Sequence, residues 1–253
     1  MVARGTPLPK KLKNDAIIEA ILEIQFSSKE NDDMPELFIA RLADIEAWKN
    51  YSKRPLPIYD IPISIRKSDP NLRTKPVIEL VSPDNLESVR IGLQVISFHR
   101  RAPYVGWDEL FKPKIFEMIN TLFSKTNKLT IARLGLRYIN ALSTNEHYIS
   151  SLKDLDLKLE IAGEYLTESL NINFTTTLSD NTNCTVRVAS PEFIQGIVPE
   201  DTNIIIDVDV FTKNDYSTND SHTVHSWLDF AHDMEKIEFF HLLPQDVINK
   251  LKI

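Results

Sequence analysis

Polar and apolar residues alternate with a period of two along AIIEAILEIQF (16–26), where Glu19, Glu23 and Gln25 share one side and Ile18, Ala20, Leu22, Ile24 and Phe26 the other. Glu19 and Glu23 also stand four apart, as on a helix, but the alternation favours a strand. In MPELFIARLADIEAWK the period changes. Leu37, Phe38, Leu42, Ile45 and Trp48 recur at helical spacing and Pro35 falls in the first turn, which predicts an amphipathic helix. A proline-marked stretch follows, with β-rich runs at 61–67 and 76–82 separated by SDPN; such prolines suit edge strands or bulges. ESVRIGLQVISFHR (87–100) reads as one longer strand with Val89, Ile91, Leu93 and Val95 on one face. WDELFKPKIFEMINTLFSK (107–125) reads as a helix that Pro113 interrupts or kinks.

Beyond KTNK the pattern begins again. KLTIARLGLRYINAL is a strand, SSLKDLDLKLEIAG a short helix, and LTESLNINFTTTL, CTVRVAS and NIIIDVDVFT three further strands. HTVHSWLDFAHDMEKIEFFHLL is a long helix and PQDVINKLK starts a last short one. Each half, 14–127 and 128–253, thus reads strand, helix, three strands, helix, an internal structural repeat within one compact unit spanning 1–253. Strands joined by turns, with helices set apart from them, predict an α+β fold: a mostly antiparallel sheet backed by helices.

Period two also sorts the charges. Arg133, Gly135, Arg137 and Ile139 point one way, and Leu134, Leu136, Tyr138 and Asn140 the other. Asp207 and Asp209 share a face opposite Ile206, Val208 and Val210; Glu19 with Glu23, and Arg90 with Gly92 and Gln94, repeat the arrangement. Four strands therefore reserve one face for helices and gather both signs of charge on the other. Three accounts of Glu19, Glu23, Arg90, Arg133, Arg137, Asp207 and Asp209 follow. They form a water-facing surface of cross-strand ion pairs, a groove that binds phosphate or carboxylate through arginine and a divalent metal through acids, or an interface with a second copy.

The bulk composition narrows these choices. A net charge of −7 repels nucleic acid, and the one basic run, Arg4, Lys10, Lys11 and Lys13, reads as a solvated arm. A single cysteine, Cys184, excludes an intramolecular disulfide and a multi-cysteine zinc site; it reads as a small buried hydrophobe. The amino-terminal stretch lacks the apolar core of a signal peptide, and no run reaches the ~18 apolar residues of a membrane span, so a soluble, uncleaved, cytoplasmic chain is expected. Nucleophile elbows, Walker loops, dinucleotide fingerprints and HExxH are absent, and six glycines leave little material for a phosphate cradle; no cofactor is expected. His222, His225, Asp229 and His232 fall on one stripe of the last long helix. His225, Asp229 and His232 are the metal-ligand candidates, against the alternative of a hydrogen-bonded polar face.

PLPKKLKNDAIIEAILEIQF, RLGLRYIN, IIIDVDVF and WLDFAHDMEKIEFF resemble successive landmarks of a family of bacterial proteins of about this length that is distributed sporadically among genomes. The similarity covers nearly the whole chain and is most specific at RLGLRYIN; the proline-rich stretch 53–76 and the loop 212–222 depart from it. The resemblance implies a bacterial cytoplasmic protein, supplies no catalytic residues, and suits a gene of a mobile or defence locus. The function expected is a binding or interaction protein, a sensor or regulatory component of a defence or toxin-neutralising locus, acting as a homodimer on a protein partner or small anionic ligand. The alternative is a metal-dependent enzyme in which Arg133 and Arg137 hold a substrate phosphate while Glu19, Glu23, Asp207 and Asp209 hold the metal.

Overall fold

A computed structural model describes residues 8–27, 34–124, 129–165, 169–194 and 198–253; Arg4, the KTNK break and the start of the LTESL run lie outside them. The first half of the chain forms β1 (Ile17–Ser27), α1 (Met34–Ala43), β2 (Ser52–Pro55), α2 (Ile63–Ser68), α3 (Pro70–Arg73), β3 (Pro76–Val81), β4 (Glu87–Gly92) and β5 (Val95–Arg101). A π turn, Trp107–Phe111, runs into α4 (Lys112–Phe123), with Pro113 in its first turn. The second half forms β6 (Thr130–Ser143), α5 (Thr144–His147), the two-residue strands β7 (Glu160–Ile161) and β8 (Glu164–Tyr165), β9 (Asn171–Ser179), β10 (Thr182–Ala189), β11 (Thr202–Thr212), α6 (Ser221–His241) and α7 (Gln245–Leu251).

Nine strands make one antiparallel sheet in the order β2-β3-β4-β5-β1-β6-β11-β10-β9, and β7 pairs with β8 apart from it. The α+β architecture read from the alternation is the one observed. Each half supplies one of the two central strands, β1 or β6, and the last strand of each half returns to pair with it. Ala20, Leu22 and Ile24 of β1 and Leu134, Leu136 and Tyr138 of β6 are fully buried on the helix side. Each such large apolar side chain contributes on the order of 1.5–3 kcal/mol. One hydrophobic cluster joins these strands to α1, α4, α6 and α7. Asp220 caps α6, accepting from the backbone N–H groups of His222 and Thr223 at 3.2 and 2.9 Å. No helix among the described residues is long and apolar enough to cross a membrane.

Three expectations fail for identifiable reasons. Within 61–67 the chain enters α2, Ile63–Ser68, rather than a strand. β2 already occupies the edge beside β3, and Pro57, Pro62 and Pro70 each begin a helical turn instead of marking strand edges. The run 87–100 is a hairpin, β4 and β5, not one strand, so α1 and α4 are separated by four strands instead of three. Its turn resets the alternation: Ile96 and Phe98 pair with Ile91 and Val89 on the core side, whereas Val95 lines the other face. Gln94 leaves the face of Arg90 for the turn, where its backbone bonds Phe26 and Arg73. The short helix expected over 150–163 is a single 3-10 turn, Leu152–Asp154, because the Asp154 carboxylate takes the N–H groups of Ser150 and Ser151 and closes the chain locally.

Gly92 sits at the hairpin corner against the loop before β3. A Cβ there would stand 2.4 Å from the Lys75 carbonyl oxygen and 2.8 Å from Val95 Cγ1. Gly92→Ala is therefore expected to destabilise the protein by about 2 kcal/mol through forced displacement of backbone. Denaturant unfolding checks this; an unchanged midpoint would show that the corner yields freely.

Candidate functional site

The uncovered face of the sheet collects the residues that the alternation placed there. Glu19, Glu23, Arg90, Arg133, Arg137 and Asp209 line a cleft of about 950 Å³, and Asp207 lies next to it in the grip of Arg137. That guanidinium donates to both Asp207 oxygens, at 2.7 and 2.6 Å. Arg133 donates to Glu23 at 2.9 Å, lies 3.9 Å from Asp209 and stacks over Phe211. Gly135 leaves room for it, since a Cβ there would stand 3.0 Å from Arg133 Nη1. Arg90 donates to Glu79 at 2.9 Å. These three arginines are thus engaged by carboxylates of neighbouring strands, and a phosphate would have to displace them. Burial, with the nearby Asp207 and Glu23, pushes Asp209 up to about 6 against the pull of Arg133 and Arg137.

Glu79, Ser97 and His99 belong to this face and were missed in sequence. His99 Nδ1 lies 3.1 Å from Glu19 and its Nε2 3.0 Å from Ser97 Oγ. This serine–histidine–carboxylate order is that of an activated nucleophile. However, Ser97 is buried and β5 pairs with a strand on each side, which occupies the backbone N–H groups that would stabilise an oxyanion. The chain is a polar tie between β1 and β5. Burial holds His99 below the ordinary histidine range.

A second cavity, of about 460 Å³, lies on the helix side, where β1 and β6 end against α6 and the segment before α4. Its walls come from Pro9 to Leu12 with Lys10 and Lys11, from Asp15 to Ile17, from Tyr104 to Lys112, from Tyr138 and Asn140, and from α6 between Asp229 and Phe240. The hydroxyls of Tyr104 and Tyr138 bond each other at 3.1 Å, their rings edge to face at 5.7 Å. Trp107 stacks flat on His232, with centroids 4.2 Å apart. Burial pushes His232 down to about 4, leaving a neutral imidazole whose buried Nδ1 has no hydrogen-bond partner.

Glu235 faces this cavity from α6 and is only 5% exposed. Among the described residues its carboxyl has no hydrogen-bond partner. Burial, reinforced by Asp15 and opposed by Lys236, pushes it up to about 8, so it is mostly protonated at neutral pH. Burial also raises both phenols well above the ordinary range, with the Glu235 charge adding to the effect. The sequence does carry a signal for Glu235. It occupies a core position of the helical stripe Leu228, Ala231, Glu235, Phe239, and an acid there needs an explanation.

The stripe His225, Asp229, His232 exists as spaced, but each member is engaged by a different neighbour. His225 stacks on Phe116 at 3.9 Å, Asp229 accepts from Lys112 at 2.6 Å, and His232 lies on Trp107. The stripe packs α6 onto α4 and the π turn; the three side chains do not converge. Among the described residues no three His, Cys, Asp or Glu side chains are placed to share a metal ion, the acids of the sheet face included. Cys184 is fully buried, its thiol pushed up to about 12 by burial. Compared with protein-family models and with curated proteins, the chain matches none.

Proposed function

We propose that this is a small-molecule binding protein whose site is the cavity between α6, the Tyr104–Trp107 segment and the ends of β1 and β6. Glu235 carries the proposal. A buried polar group without a partner costs about 1–3 kcal/mol, and here the open side of the group is a cavity that a ligand can enter. The rest of the lining suits that use: aromatic walls, two positioned phenols, and a volume within the usual range for small ligands. The rival enzyme reading, phosphate on Arg133 and Arg137 beside a metal, has less support because both guanidiniums are already paired. A regulatory or sensing role in a bacterial defence or toxin-neutralising locus rests on the family resemblance, and a ligand-gated binding protein is compatible with it.

Native against denaturing mass spectrometry of protein purified without chelator tests the cavity. Wild type is expected to show a mass excess lost on denaturation. Val105→Trp, which adds bulk at a half-exposed position of the lining, is expected to show none. A clean chain mass for wild type, with no saturable binding in a fragment screen, would sink the proposal.

A further inference from the structure

Resting on the cavity as the ligand site, we infer that the ligand is an organic cation: an ammonium group held by Glu235 within the ring of Tyr104, Trp107 and Tyr138, attached to an apolar body.

The chemistry of the walls selects the charge. A carboxyl without a protein partner lies at the inner side, and Asp15 adds a second acid at the mouth. Lys112, the nearest cation on the α4 side, is already taken by Asp229 at 2.6 Å. Six acids line the cavity against four lysines, and Lys10 and Lys11 are exposed, so an anionic ligand at the inner side would meet the Glu235 carboxyl within a predominantly acidic lining. The two tyrosines supply complementary acceptors. Trp107 is stacked on His232 at 4.2 Å and on Phe111 at 5.9 Å, so what the Tyr104–Tyr138 pair offers the space next to the carboxyl is its phenol oxygens. An ammonium supplies up to three donors, which Glu235, the phenol oxygens and the Asn140 amide oxygen can accept. The Asn140 amide nitrogen is already committed to the Ile206 carbonyl at 3.2 Å, which leaves its oxygen available.

Binding of an ammonium ionises Glu235, and the displaced proton passes to solvent. The titratable and charged groups around that event are Lys10, Lys11 and Asp15 ahead of β1, Tyr138 on β6, Tyr104, Asp108 and Glu109 before α4, Lys112 on α4, and Asp229, His232, Asp233 and Lys236 on α6. Lys10, Lys11 and Lys236 oppose cation entry, the first two from exposed positions and Lys236 from α6. Lys236 is half-buried, and desolvation holds it below the ordinary lysine range.

Three probes with one indole body separate the charge classes: tryptamine, tryptophol and indole-3-acetate, titrated against the whole protein by calorimetry. Tryptamine is expected to bind about tenfold or more tightly than tryptophol, the worth of one charge-assisted hydrogen bond, with indole-3-acetate the weakest. In Glu235→Gln the tryptamine advantage is expected to fall to near unity while tryptophol binding changes by less than about threefold. Tryptophol or indole-3-acetate binding as tightly as tryptamine overturns the cation assignment and leaves the cavity as the site. Failure of all three to bind overturns this inference too. The cavity reading is then decided separately by the native mass measurement, whose retained molecule, once identified, also reveals its charge.

Discussion

The stability of Glu235→Gln relative to wild type is expected to rise steadily from about pH 5 to about pH 8 and to be flat near pH 4. The carboxyl titrates near its ordinary value of 4.5 when unfolded and at about 8 when folded. Below the unfolded value both states carry the proton and the group contributes no pH-dependent cost. As pH rises the unfolded chain ionises freely while the buried carboxyl holds its proton, so folding loses about 1.4 kcal/mol per pH unit until the folded group ionises too. At pH 7 the upper limit of this penalty is roughly 3 kcal/mol, several degrees of melting temperature for a chain of this size. A buried glutamine amide carries its own unsatisfied cost, constant with pH, so the diagnostic is the slope of the difference between the two proteins. His232 works in the opposite direction. Its folded value of about 4 lies below the ordinary 6.5, so its neutral form's contribution is present above pH 6.5 and lost as pH falls towards 4. That loss is common to both proteins and cancels in the comparison. Melting curves at pH 4, 6 and 8 decide the matter; a margin equal at all three would show that Glu235 is not a buried acid.

Arg137→Ala is expected to cost about 3 kcal/mol of stability. Asp207 is buried, its side chain 7% exposed, and receives both of its short bonds from this one guanidinium. Removing the cation strands the carboxylate, and stranded buried charges cost more than the pair contributes. Arg137 is itself 40% exposed, which places the loss at the lower end of the range for buried pairs. Asp207→Asn in the Arg137→Ala background is expected to recover most of the loss, because a neutral amide tolerates the vacated site. Unfolding of the two single variants and the double variant supplies the coupling energy. Strict additivity would show that the pair contributes nothing specific. Tryptamine binding should survive in Arg137→Ala at temperatures where the variant stays folded, since the cavity lies on the other side of the sheet.

The same pair shows how far a one-dimensional pattern reaches. Period two is a property of extended backbone, so the strands β1, β6, β10 and β11 and the faces of Glu19, Glu23, Arg133, Arg137, Asp207 and Asp209 were legible without coordinates. The long helix α6 and its polar stripe followed in the same way from helical spacing. Where the chain reverses, local pattern stops being informative. The run 87–100 hides a hairpin because its turn keeps apolar residues at both ends, and 61–67 has strand composition but no vacant sheet edge to join.

Composition and periodicity by themselves determined the fold class, the helix-covered and uncovered faces, and which charges share the uncovered face, because each depends on neighbours one to four residues apart. Pairing Arg137 with Asp207, and so removing it as a free phosphate grip, was decided by strand register across 70 residues. The cavity was decided by tertiary structure alone. Asp15, Tyr104, Tyr138 and Glu235 come from four separate stretches of chain, and only their convergence takes the Glu235 carboxyl out of water. That loss of hydration turns an ordinary helical glutamate into an acid that keeps its proton near neutral pH.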